Sequence, residues 1–86
     1  MYTLNYHVTE TKGTEVIERE YHYSDEYRLR KNALHYLREI VQSDYRERGY
    51  ATSLLVGGLY CIKSEKTDKG ERKTIEIRIK VEKSRT

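Results

Sequence analysis

The chain has 86 residues, with 17 Lys or Arg against 14 Asp or Glu and a net charge of +3. A chain this short buries only about 60–65% of its unfolded surface, which limits it to one core, and residues 1–86 are read as a single domain with a second domain excluded. Hydrophobic and charged residues each make up 36%, but the apolar ones fall in periodic runs, which excludes a disordered chain.

The first element, "YTLNYHV", alternates strictly. Tyr2, Leu4, Tyr6 and Val8 share one face and Thr3, Asn5 and His7 the other, as in a strand over about 2–10. A second strand over about 15–23 puts Ile17, Arg19, Tyr21 and Tyr23 on one face. A four-residue turn over 11–14, with Gly13 in the left-handed conformation, pairs Glu10 with Glu15. By counting, Val8 then faces Ile17, Leu4 faces Tyr21 and Tyr2 faces Tyr23.

Ser24 followed by Asp25 and Glu26 is a helix start, because a serine oxygen can accept an orphan amide and acids suit the positive end of the helix dipole. A helix over about 25–47 follows. Leu29, Ala33, Leu34, Leu37, Ile40 and Val41 recur at three- and four-residue steps and form its apolar stripe, and Gly49 is the natural C-terminal cap.

The last two strands are read over about 50–66 and 71–83. The latter alternates Ile75, Ile77, Ile79 and Val81 with Glu76, Arg78 and Lys80. A four-residue turn over 67–70 pairs Lys66 with Glu71 and places Ile62 opposite Ile75, Tyr60 opposite Ile77 and Val56 opposite Val81. Leu54, Val56, Tyr60 and Ile62 then form the core set. Gly58 falls opposite Ile79, where a missing side chain lets the helix come close.

The order ββαββ, with short turns inside each hairpin, implies an α+β domain: a four-stranded sheet of two hairpins with one helix packed on one face. The favoured strand order is 2-1-4-3, with the first and last strands parallel at the centre. This resembles β-grasp domains such as the immunoglobulin-binding domain of protein G in topology alone, and carries no function with it. The alternative is an antiparallel meander with the second and third strands adjacent. With no proline, phenylalanine or tryptophan and nine tyrosines, tyrosine must serve as the core aromatic.

The stretch "LLVGGLYC" is apolar on both alternating faces, and one helix covers only one of them. The register above leaves Leu55, Leu59 and Cys61 on the outer face, and a bulge at Gly57 and Gly58 would only exchange one exposed set for another. In the 2-1-4-3 order this strand is also an edge without charge or proline from Leu54 to Ile62. The function expected is therefore a small non-enzymatic protein-interaction module, joined through Leu55, Leu59 and Cys61 to a second copy or to a partner's strand. The competing outcome is that the stems of Arg78, Lys80 and Glu82 dry these residues within one chain.

A second candidate surface is the tip of the second hairpin, "KSEKTDKGERK", with five basic and three acidic residues. Lys63, Lys66, Lys69, Arg72 and Lys73 could follow phosphates, helped by the tail, and a nucleic-acid accessory is the alternative function. A third possibility that the composition permits is an inhibitor of another protein carried by a phage or mobile element.

Catalytic and metal-binding patterns are not seen. The first hairpin's register sets His7 and His22 about 13 Å apart along the strands, and His35 lies on the polar helix face. Cys61 has no histidine to activate it, no carboxylate pair occupies an apolar pocket, and "VGGL" lacks the context of a phosphate loop. No enzymatic activity, cofactor or metal is expected. A single cysteine forms no internal disulfide, which favours a reducing compartment, with the cytoplasm as the default. No segment reads as a signal peptide or membrane span.

Overall fold

The computed structural model describes residues 1–22 and 26–84. It is an α+β fold in which five strands, β1 (Tyr2–Lys12), β2 (Glu15–His22), β3 (Ala51–Leu55), β4 (Gly58–Lys66) and β5 (Arg72–Lys83), form one sheet. Their order is β2-β1-β5-β4-β3 and every neighbouring pair is antiparallel. One helix, α1, packs on one face. It runs through Arg30–Tyr36, a π-helical turn at Leu37–Val41, and Gln42–Glu47.

The central strands are the ones with the cleanest alternation. β1 and β5 pair over eleven residues, with Leu4 opposite Val81, Tyr6 opposite Ile79 and Val8 opposite Ile77. The first and last strands do meet at the centre as expected, but they run antiparallel. The cause is one extra reversal: residues 50–66 are not one strand but two, folded back on each other at Val56 and Gly57. Gly57 has φ 73° at the second central position of that two-residue turn, where a type II geometry requires a positive value. A fifth strand therefore replaces the four-stranded sheet, and β5 enters in the opposite sense.

The two long hairpins depart from their expected registers in different ways. In the first, Lys12 pairs with Glu15 across a two-residue turn, with Gly13 at φ 58°. Tyr6 thus faces Tyr21, and Val8 faces Arg19. The shift is two residues, so every side chain keeps the face assigned to it. The expected pairing of Tyr2 with Tyr23 lies outside the described residues.

In the second hairpin the loop holds five residues, 67–71. Thr67 N donates to Glu71 O at 2.8 Å, Gly70 N donates to Thr67 O at 2.9 Å, and Gly70 has φ 79°. Lys66 therefore pairs with Arg72, and this one-residue shift exchanges the two faces of β4. Leu59 now faces Ile79 and Cys61 faces Ile77, while Tyr60 and Ile62 turn outward. Of the expected core set, Leu54 and Val56 are exposed, and Tyr60 and Ile62 are half-buried.

The core consists of Leu4, Ala33, Leu37, Val41, Leu59, Cys61, Ile77 and Ile79, rimmed by partly buried tyrosines at 2, 6, 27, 36, 45 and 50. The helix contributes Ala33, Leu37 and Val41, each four residues after the last. In a regular α-helix a four-residue step drifts by about 40° around the axis. The π-helical turn is wider and cancels this drift, so all three side chains point at the sheet. Ile40, which the stripe included, is turned out to 54% exposure, and Leu29 is also exposed.

The start of the helix also differs from expectation. The Ser24 and Asp25 cap lies outside the described residues, Glu26 is not helical, and Leu29 occupies the N-cap position without a side-chain bond. Residues 26–29 instead reach across to β1, where Tyr27 and Tyr2 exchange backbone hydrogen bonds at 2.7 and 2.8 Å. The C-terminal end follows expectation. Gly49, at φ 91°, donates to Arg46 O at 3.0 Å, Tyr50 N donates to Tyr45 O at 3.0 Å, and the two tyrosine rings meet edge to face at 5.1 Å. These bonds and this contact form a Schellman cap.

Candidate functional site

The two open edges of the sheet are β2 and β3, and they differ in charge. β2 is exposed along its whole length and carries Glu15, Glu18, Arg19 and Glu20. Such charges are a common device against unwanted strand pairing. β3, "ATSLL", carries none. On it Leu54 is 55% and Leu55 40% exposed, and the adjoining Val56 projects fully into solvent at the turn.

The orientation of this edge follows from its own hairpin. Leu55 and Gly58 close a two-residue turn, so hydrogen-bonded pairs to β4 fall at Leu55, Ser53 and Ala51. By the same alternation, the backbone N–H and C=O groups of Thr52 and Leu54 point to the free edge. The helix steadies the strand from one side, where Thr52 Oγ1 accepts from Arg46 Nε at 3.0 Å and lies 3.0 Å from the side-chain amide of Gln42.

Of the three residues expected to form an interface, the structure keeps only Leu55 at the surface. Leu59 and Cys61 are 0% exposed and lie under the helix. The one-residue register difference is the cause: it moves them from the outer face into the core. A lysine at Leu59 would therefore test folding rather than association. The outward residues of β4 are dressed within the chain. Tyr60 donates to Glu76 Oε2 at 3.0 Å, and the Arg78 guanidinium stands 5.8 Å from its ring centroid. An edge strand without charge or proline was legible in the sequence, but its position at residues 51–55 rather than 54–62 depended on the unrecognised turn at Val56 and Gly57.

The basic hairpin tip does not stand alone. β1 runs beside β5 as far as Lys12 opposite Lys73, and Gly13 N donates to Arg72 O at 3.5 Å, so two turns form this end together. Lys63 donates to Arg48 O at 2.9 Å and lies over the Tyr50 ring. Lys73 pairs with Glu10 at 2.9 Å. The ammonium of Lys73, hydrogen-bonded to Glu10, holds that carboxyl below its ordinary range, and the same bond raises the lysine. Lys66, Lys69 and Arg72 remain at the tip, interleaved with Glu65, Asp68 and Glu71.

The outer face over β2, β1 and β5 is a shallow dish of about 430 Å³. Here His22 lies opposite Asn5 and His7 opposite Glu20, so the histidines are diagonal neighbours rather than four residues apart. The His7 Nδ1 is 3.3 Å from Glu20 Oε1, His22 Nδ1 meets Asn5 Oδ1 at 2.5 Å, and Asn5 donates to Glu82. These polar groups satisfy one another instead of converging on a common point. Among the described residues no group of His, Cys, Asp or Glu has the arrangement to hold a metal ion.

Cys61 sits in the core, and burial pushes its thiol up to about 11 from an ordinary 9.0. Between these values the unfolded chain releases the proton and the folded chain retains it, so stability falls as pH rises from about 9 to 11. The slope contributed approaches about 1.4 kcal/mol per pH unit. Urea unfolding at stepped pH checks this, with Cys61→Ala expected to lose that part of the slope. In the native protein the thiol is expected to resist aromatic disulfide reagents until urea unfolds the chain.

No known protein family and no curated protein matches this chain. No helix among the described residues is long and apolar enough to cross a membrane.

Proposed function

We propose that the protein is a non-enzymatic interaction module that joins another polypeptide by strand addition at the free edge of β3. The observation that carries this reading is an uncharged, proline-free edge strand whose leucines at 54 and 55 remain at the surface. An open row of backbone donors and acceptors gives affinity to an added strand, and side chains on alternate faces give it selectivity. The acids of β2 make the opposite edge the poorer acceptor.

The test uses a proline. Leu54→Pro removes an N–H that faces solvent and breaks no bond to β4, so the fold persists while the edge is blocked. A photoreactive benzophenone side chain placed at Leu55 in cells is expected to form covalent adducts that vanish when Leu54→Pro is added. Absence of adducts, or adducts indifferent to the proline, refutes strand addition at β3.

A further inference from the structure

We infer that the strand added at β3 is the β3 of a second copy, related by a two-fold axis through Ser53 perpendicular to the sheet. This rests on the edge reading above and goes further by naming the partner. The argument is self-complementarity. In the antiparallel register centred on Ser53, Thr52 meets Leu54 of the second copy and Ala51 meets Leu55, so each large side chain stands beside a small one.

The hydrogen-bonding phase agrees. Thr52 and Leu54 are the two residues whose backbone groups face outward, and this register pairs them with each other twice, closing two hydrogen-bonded rings. Ser53 forms the non-hydrogen-bonded pair on the axis. An odd-sum register would pair residues of opposite faces and join the helix-bearing side of one sheet to the bare side of the other.

Charge separates the two edges again. Self-pairing of β2 in either of its fullest face-preserving registers sets Glu18 against Glu18 or Glu20 of the copy, whereas β3 brings no like charges together. One step past the strand, fully exposed Val56 falls opposite half-buried Tyr50 of the second copy, which gives it cover. The product is a continuous ten-stranded antiparallel sheet with both helices on one side. Five residues per strand make a small interface, so the dimer forms in the micromolar rather than the nanomolar range.

Light scattering on the purified chain is expected to give twice the chain mass at high concentration, falling to one chain mass in Leu54→Pro with an unchanged circular dichroism spectrum. Ser53→Cys in a Cys61→Ala background is expected to give a disulfide-linked dimer on mild oxidation, since a non-hydrogen-bonded antiparallel pair brings its Cα atoms within disulfide range. Leu55→Cys in the same background should not cross-link, because the two copies of that position lie about 14 Å apart. A single-chain mass at the highest concentration reached, a dimer unaffected by Leu54→Pro, or cross-linking at Leu55 rather than Ser53 overturns the inference. If the pure chain is monomeric while proline-sensitive adducts of unequal mass form in cells, the second copy is ruled out and strand addition to another protein stands. If no adducts form either, the edge reading itself falls.

Discussion

Gly58→Ala is expected to destabilise the protein by about 3 kcal/mol or more, a large share of the stability of a domain this small. An added Cβ would stand 2.3 Å from the carbonyl oxygen of Ile79. That oxygen belongs to the backbone of β5, which is clamped between β1 and β4, and the Val81 N–H bond to Gly57 O at 2.9 Å holds the adjoining turn against the same strand. No side-chain rotation relieves the contact. It was the neighbouring strand, not the helix, that required a glycine here. Gly70→Ala is the comparison: its Cβ meets nothing within 4 Å, but φ is 79°, so only the left-handed conformation is penalised, at about 1 kcal/mol. Urea midpoints of the two variants check this, and equal losses would contradict the close approach at β5.

Leu37→Ala is expected to cost about 2–5 kcal/mol and Ile40→Ala less than about 0.5 kcal/mol. Both residues belong to one apolar stripe when the helix is taken as regular. In the structure Leu37 is fully buried between the helix and the sheet, whereas Ile40 keeps more than half its surface in water. Thermal or urea unfolding of the two variants measures the difference directly. Comparable losses would mean that the helix is not underwound at Leu37–Val41 and that its buried face is the one expected of a regular α-helix.

Much of the fold was legible because it rests on local chemistry. Strict alternation in "YTLNYHV" and "TIEIRIKV" marks half-buried strands, and the helix is announced by its three- and four-residue spacing and closed by a glycine whose Schellman bonds need a positive φ. The tyrosines do rim the core, as a chain without phenylalanine or tryptophan requires. The candidate site was legible as a property and not as a place: an uncharged apolar edge exists, but Leu59 and Cys61 belong to the core and Leu54 replaces them at the surface.

The amino-acid sequence alone determined the first, second and last strands, where the helix ends, the α+β class, and that an uncharged apolar stretch lies between residues 54 and 62. Tertiary structure decided how these strands pair and which way they face. The physical reason is the period of two in a strand: misjudging a turn by two residues in the first hairpin left every face unchanged, whereas one residue more in the loop 67–71 reversed β4 entirely. Turn chemistry around Gly13 or Gly70 tolerates several loop lengths of nearly equal energy. The choice among them is made by packing, when Leu59 and Cys61 close against Leu37 and Val41 and leave β3 at the open edge.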